Sequence, residues 1–68
     1  MTQKQQMVLN KIKDDTGTRF AGYYLDNGIL VVSIYDRSIS LYESKPIVFR
    51  HFYDHEGILI LTKYHDNH

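Results

Sequence analysis

The sequence predicts a mainly β protein of the α+β class, in which one N-terminal helix precedes a five-stranded antiparallel sheet. Asn27-Gly28 lies between two runs of aromatic and β-branched residues, a pattern that indicates a tight hairpin. Apolar and polar residues alternate through Ser38–Glu43, and glycine or proline separates the remaining apolar runs. The 68 residues are expected to form one domain, with the helix over 1–14, the sheet over 18–62 and a polar C-terminal tail over 63–68.

The first element is a helix over Thr2–Lys13. Thr2 followed by Gln5 fits a capping box, and Gly17 supplies a stop signal. The residues that would rest on a sheet are Val8, Leu9 and Ile12. A hairpin is the alternative, because Asp14–Gly17 also suits a type I turn that ends in a glycine bulge.

A type I′ turn at Asn27-Gly28 would fix the register of the first two strands. Leu25 then faces Leu30, Tyr23 faces Val32, Ala21 faces Ile34 and Arg19 faces Asp36. The other face of this hairpin would carry Phe20, Tyr24, Val31 and Tyr35. Because neither face is polar, both need a cover, which the chain's own elements or a partner must provide.

Three further strands follow the hairpin. Ser38–Glu43 is expected to be half-buried and to end at Ser44-Lys45-Pro46, because proline cannot donate to a ladder. Ile47–Tyr53 and Ile58–Thr62 are the fourth and fifth strands, joined by a type I turn over Asp54–Gly57. A meander of this size has two open edges, so it either curls into a small barrel or pairs with a neighbour. The last strand is apolar on both faces, which favours pairing at a subunit interface.

The composition limits the classes of function. Eight Lys and Arg balance eight Asp and Glu, which disfavours a protein that wraps duplex DNA but not one that binds single strands by stacking. The chain has no cysteine, so it offers no disulfide, thiolate metal site or thiol nucleophile. No apolar run has the length of a membrane span, and the polar start is not that of a signal peptide, so a cytoplasmic location is expected.

Four segments in order resemble Sm-like proteins, and most closely their bacterial branch, Hfq. Gln5–Lys13 is similar to the Q-x-x-F-L-N-x-[IL]-[RK] opening of that branch, and Leu25–Gly28 matches its L-x-N-G turn. Tyr35–Leu41 resembles its [FY]-D-x-x-[IV]-x-L signature, and Phe49-Arg50-His51 resembles its Y-K-H. The resemblance implies a strongly bent five-stranded sheet, or small SH3-like barrel. It also implies a ring of about five to seven copies that binds U-rich or A-rich single-stranded RNA without a cofactor.

The same resemblance implies two sets of RNA-binding residues. On the pore side of the ring they are Gln5, Tyr35, Asp36, Arg37, Ser38, Arg50 and His51. On the opposite face they are Tyr24, Asn27, Gly28 and Ile29, which would form an adenine-stacking pocket beside the hairpin turn. Ser38 departs from the family, which usually has an aromatic residue at that position.

Each of these residues also has a purely structural interpretation. Gln5 is an exposed helical residue, Arg50 is solvated and His51 is half-buried, while Tyr24 and Ile29 pack across strands. Asp36 caps a turn or pairs with Arg19. These alternatives need no ligand, and the sequence alone leaves them open.

Other classes of function are less favoured. The residues His51, His55, His65, His68, Asp54, Glu56 and Asp66 have no spacing that fixes a closed metal site. No nucleophile–base pair or carboxylate pair is placed on rigid elements, so an enzyme is not expected. The second hypothesis is a small protein-binding module that docks through its tyrosine-rich sheet.

Overall fold

The computed structural model describes residues 1–37 and 47–66, with side chains through residue 64. Helix α1 (Gln3–Thr16) leads through a 3₁₀ turn (Gly17–Arg19) to strand β1 (Phe20–Asp26). Strands β2 (Ile29–Tyr35), β3 (Ile47–Tyr53) and β4 (Leu59–Asp66) follow. The described strands form one antiparallel sheet in the order β1-β2-β3-β4. An α+β chain that is mostly β, with its helix first, is therefore confirmed.

The strand count differs from the prediction. Within the described residues the sheet has four strands, and β2 pairs directly with β3 from Leu30↔Tyr53 to Tyr35↔Val48. The strand expected at Ser38–Glu43 and its break at Ser44-Lys45-Pro46 lie outside the described residues. β1 and β4 form the two edges of the described sheet, so the expected barrel closure is not seen among these strands.

The last strand is longer than predicted. β4 continues through Asp66, whereas Lys63 was expected to begin a polar tail. The extension follows from pairing, because Lys63 lies opposite Arg50, Tyr64 opposite Phe49 and the backbone of His65 opposite Val48. A neighbouring strand supplies the ladder partners that a polar sequence does not itself indicate.

The helix forms where the sequence predicts it, which excludes the hairpin alternative, but it continues to Thr16, three residues beyond the predicted end at Lys13. Thr2 accepts a hydrogen bond from the Gln5 amide at 3.1 Å, and the Gln5 side chain accepts one from the Thr2 amide at 2.9 Å. This reciprocal capping box satisfies two of the donors that a helix start leaves without partners. Gly17 ends the helix with φ 53°, and its N–H donates to the Lys13 carbonyl.

A bulge in β1 changes the predicted register of the first hairpin. Asn27 and Gly28 have φ of 51° and 81°, as a type I′ turn requires, and Leu25↔Leu30 and Tyr23↔Val32 pair as expected. Beyond Gly22, which has φ 140°, the register shifts, so that Phe20 rather than Ala21 lies opposite Ile34. The extra residue turns Phe20 toward the helix, and Arg19 falls in the 3₁₀ turn instead of opposite Asp36.

The core lies between α1 and one face of the sheet. Leu9 packs against Leu30, Val32 and Ile34. The side chains of Leu9, Leu30 and Val32 are fully buried. Residues that pack around this cluster with partial burial are Ile12, Phe20 and Tyr53. We call this side of the sheet the helix face and the other side the helix-free face.

Gln5 ties the helix to two distant turns. Its side-chain amide donates to the Gly28 carbonyl at 2.8 Å and to the Asp54 carbonyl at 3.0 Å. The Thr2 hydroxyl donates to the His55 carbonyl at 2.8 Å, and the Asp54 carboxylate accepts from the amides of Glu56 and Ile58. The β1–β2 and β3–β4 turns are thereby held side by side against the first turn of α1.

Candidate nucleic-acid interface

Two cross-strand rows form the centre of the helix-free face. The register places Tyr24, Val31, Phe52 and Leu61 side by side across the four strands. The next row on the same face consists of Gly22, Ser33, Arg50 and Lys63. Because side chains alternate between faces along a strand, an apolar row with two aromatic rings lies directly beside a row with two cations.

The exposed parts of these rows suit contact with another molecule. Tyr24 is 48% exposed and Leu61 46% exposed, and both Arg50 and Lys63 are exposed. Val31, which lies between Tyr24 of β1 and Phe52 of β3, is fully buried. The Lys63 ammonium lies 5.7 Å from the centre of the Phe52 ring, which confirms that both side chains share this face. Aromatic rings in one row can stack on bases, while flexible cations in the adjacent row neutralise phosphates.

Charge is distributed asymmetrically about the aromatic row. Asp26 lies on the same face as Tyr24, two residues nearer the Asn27-Gly28 turn, and it is exposed. Arg50 and Lys63 lie on the other side of the row. A polyanion placed on this face would therefore be attracted to one side of the row and repelled from the other.

Arg50 and His51 occupy opposite faces of β3. His51 lies on the helix face, where its ring stacks on Phe49 with centres 6.4 Å apart and its Nδ1 is 3.0 Å from the Thr62 hydroxyl. The Tyr64 ring packs in a T-shaped arrangement with the same Phe49 ring, with ring centres 5.3 Å apart. The sheet thus separates the two residues that the resemblance assigns to one pore, and only Arg50 joins the rows described above.

Burial lowers the pKa of His51, because the charged imidazolium loses hydration among these aromatic side chains. A depressed folded-state pKa means that the stabilisation present above the unfolded-state pKa near 6.5 is lost as the pH falls below it. We expect the free energy of unfolding to decline more between about pH 7.5 and pH 5.5 in the wild type than in His51→Gln, measured by urea denaturation. Equal declines in the two proteins would contradict this assignment.

The other residues expected on the pore side are dispersed. Tyr35 is half-buried on the helix-free face at the end of β2, opposite Val48. Asp36 follows it, with its amide donating to the Ile47 carbonyl at 3.0 Å, while its buried Oδ1 has no hydrogen-bond partner among the described residues. Arg37 is exposed. Ser38 lies outside the described residues.

Gln5 does not take the role that the resemblance implies. It is only 1% exposed, and its amide is occupied by the carbonyls of the two turns. Its neighbours Lys4 and Gln6 are exposed, so the burial of Gln5 is specific to its side of the helix. Gln5 is therefore a structural residue in this fold, and neither an exposed helical residue nor one free to contact RNA.

The residues expected on the opposite face divide into two groups. Tyr24 and Ile29 point to the helix-free face, Tyr24 exposed and Ile29 half-buried. Asn27 and Gly28 form the turn, and Gly28 lies against the ring of His55, whose Nε2 would be 2.5 Å from a Cβ built on Gly28. That close approach leaves the Gly28 backbone beside protein atoms, so Tyr24 is the member of this set best placed for stacking.

The pattern of residues along the chain did not identify Phe52 and Lys63 as candidates. Phe52 follows the Phe49-Arg50-His51 segment, and Lys63 was assigned to the tail. Only the pairing of β3 with β4, which sets Arg50 opposite Lys63 and Phe52 opposite Leu61, joins them to Tyr24. The sequence did offer one signal for Lys63, which is a cation that follows the apolar run Ile58–Leu61. The face of the sheet on which it lies, however, depends on the register.

Three further observations concern other kinds of site. The described residues contain no group of three or more His, Cys, Asp or Glu side chains placed to hold a metal ion. In the same part of the chain, no helix is long and apolar enough to cross a membrane. No family model, curated protein or solved structure was found to match the sequence or the fold.

Proposed function

We propose that the protein binds single-stranded RNA on the helix-free face of its sheet, as a non-enzymatic, self-associating protein in the cytoplasm. The observation that carries the proposal is the adjacency of the row containing Tyr24 and Phe52 to the row containing Arg50 and Lys63. Stacking surfaces beside a few local cations suffice for single strands, so the balanced net charge is no obstacle. The resemblance to Sm-like proteins supports RNA as the ligand and self-association as the context.

The mechanism follows from the spacing of the rows. Tyr24 and Phe52 lie two strands apart, about 10 Å, so each can stack on a separate base of one RNA segment. Lys63 now covers the Phe52 ring, and its flexible chain must swing aside to admit a base. Its ammonium then remains near the neighbouring phosphates. Arg50, in the same row, can donate two parallel hydrogen bonds to one phosphate.

This mechanism differs from one based on a central pore. A pore would use Arg50 together with His51, whereas these side chains lie on opposite faces of β3. An Sm-like barrel with a fifth strand, and a ring of about five to seven copies, remain expectations from the resemblance. The face proposed for binding requires neither, because each chain carries both rows.

The test is binding of fluorescently labelled oligo-U and oligo-A, measured by anisotropy at several salt concentrations. We expect salt-sensitive binding that weakens by about tenfold or more in Tyr24→Ala, because one stacked base is typically worth about 1–3 kcal/mol. Arg50→Ala should weaken binding too, and it should reduce the slope of log K against log salt by about 0.7, the value for one lost contact to a single-strand phosphate.

Two matched variants control for general effects. His51→Gln changes the residue next to Arg50 on the other face, and Asp26→Asn removes an exposed anion beside Tyr24. Neither should weaken binding, and the second should strengthen it slightly. If His51→Gln weakens binding while Arg50→Ala does not, the helix-free face is not the site. A stable monomer that binds neither oligonucleotide would favour the protein-binding alternative.

A further inference from the structure

The exposed apolar side chains of the described residues concentrate on the two edge strands. Apart from Met1 and Met7, every large apolar or tyrosine side chain exposed in the described part of the chain lies on β1, on β4 or at Ile58 just before β4. Tyr23, Tyr24 and Leu25 are 43–48% exposed on β1, and Ile58–Leu61 are 46–60% exposed. Each edge also presents backbone groups that no described strand pairs. Such edges commonly pair with other chains.

The two edges are chemically complementary row by row. On the helix face, one row runs from Leu25 through Leu30 and Tyr53 to Leu59, because the β3–β4 register shifts between Phe52 and Tyr53 and so pairs Leu59 and Leu61 with residues on opposite faces. On the helix-free face, the aromatic row starts at Tyr24 and ends at Leu61. Placing β4 beside β1 of a second copy in this register sets Leu59 next to Leu25 and Leu61 next to Tyr24, and Lys63 meets Gly22. At the first two of these pairs apolar residues meet apolar or aromatic ones, and at none of the three are like charges opposed.

We propose that the occupant of each edge is a second copy of this chain, joined head to tail with β4 of one copy antiparallel to β1 of the next. Strand direction permits this, because β1 and β4 of a four-stranded antiparallel sheet run in opposite directions. An unrelated partner would cover one edge and leave the other open. One contact between copies, repeated, covers both edges, and it generates a ring if it closes or a filament if it does not.

This inference deepens the self-association within the proposed function by naming the surfaces that meet. It also extends the proposed RNA path, because the apolar row would continue from Phe52 and Leu61 of one copy to Tyr24 of the next. At each junction the aromatic side chain of Tyr24 from the second copy would then lie beside Leu61 and Lys63. Several weak contacts on successive copies would act together on one RNA strand.

The test introduces opposite charges on the two sides of the proposed junction, followed by light scattering of the RNA-free protein. Wild type is expected to have the mass of an oligomer larger than a dimer. Leu59→Lys and Leu25→Glu should each shift it toward the mass of one chain, because each sets a charged side chain against an apolar one in every junction. The double variant should regain the oligomeric mass, because in every junction the introduced ammonium of one copy then meets the introduced carboxylate of the next.

Met7→Lys is the matched control, since Met7 is 64% exposed on the helix and belongs to neither edge strand, and the mass of this variant should equal that of wild type. Circular dichroism establishes that each variant is folded. If Leu25→Glu is unfolded, the reversed pair Leu25→Lys and Leu59→Glu replaces it.

A monomeric wild type would overturn the inference, and so would a Leu25 variant that retains its mass while the Leu59 variant loses it, since that result indicates β4–β4 pairing. Neither result bears on oligonucleotide binding by a single chain, so the RNA-binding part of the proposed function fails or survives independently, whereas a monomeric wild type would also remove the self-association from it.

Discussion

Replacing Gln5 with leucine is expected to destabilise the protein by about 3 kcal/mol, because two carbonyls in part-buried hydrogen bonds lose their donor at once. The Gln5 amide donates to Gly28 and Asp54, which belong to turns 23 and 49 residues away along the chain. Leucine has a similar volume, so a cavity would not explain the loss. For a domain of this size, whose total stability is on the order of 3–5 kcal/mol, the variant would keep only about 0–2 kcal/mol and should melt far below the wild type.

Urea denaturation followed by circular dichroism measures this effect, and low protein concentration limits the contribution of self-association. Gln6→Leu is the matched control, since Gln6 is the same residue type one position along and its side chain makes an exposed hydrogen bond with Asn10. It should change stability by no more than about 0.5 kcal/mol. Equal losses in the two variants would mean that the Gln5 amide does not hold the turns together.

Leu9→Ala should cost about 3 kcal/mol, within the range of roughly 2–5 kcal/mol for truncating a fully buried leucine. Leu9 is the only apolar residue of α1 that is fully buried, and it contacts the row of β2 residues Leu30, Val32 and Ile34. The substitution removes apolar contact and leaves a cavity between helix and sheet. Since this contact covers the centre of the helix face, the variant should lose most of its cooperative thermal transition.

The control for this experiment is Met7→Ala, which truncates an apolar side chain of the same helix that is 64% exposed. Its melting temperature should remain within a few degrees of wild type. A loss below about 1 kcal/mol in Leu9→Ala would show that the helix contributes little to the core. Measurements at several protein concentrations separate this effect from any coupling to assembly.

The local structure was predictable because its causes are local in the sequence. Thr2 and Gln5 are three residues apart, so their capping box follows from helix geometry alone. Asn27 and Gly28 tolerate positive φ, and they set the first hairpin pairs without help from the rest of the fold. The alternation rule then put Tyr24 and Val31 on the face opposite Leu25 and Leu30, and the structure has them so, but it did not show which of the two faces the helix would cover.

The candidate surface was only partly predictable, because it depends on which strands become neighbours. Arg50 was expected in a site, but its association with Lys63 required the β3–β4 register and a strand that continues into a polar segment. The direct pairing of β2 with β3 sets Phe52 beside Val31, and hence in one row with Tyr24. No spacing within a single strand specifies such neighbours, since they are separated by turns whose length and path vary.

The sequence alone determined the helix, its cap, the Asn27-Gly28 turn and the alternation of faces within each strand. These features depend on the conformational preferences and hydrogen bonds of residues a few positions apart. Only the tertiary structure decided that Phe20 packs against the core and that Gln5 is buried and hydrogen-bonded to two turns. It also decided which face of the sheet carries Arg50 and which carries His51. Packing the helix on one face fixes these outcomes, because it determines which side of each strand is withdrawn from water.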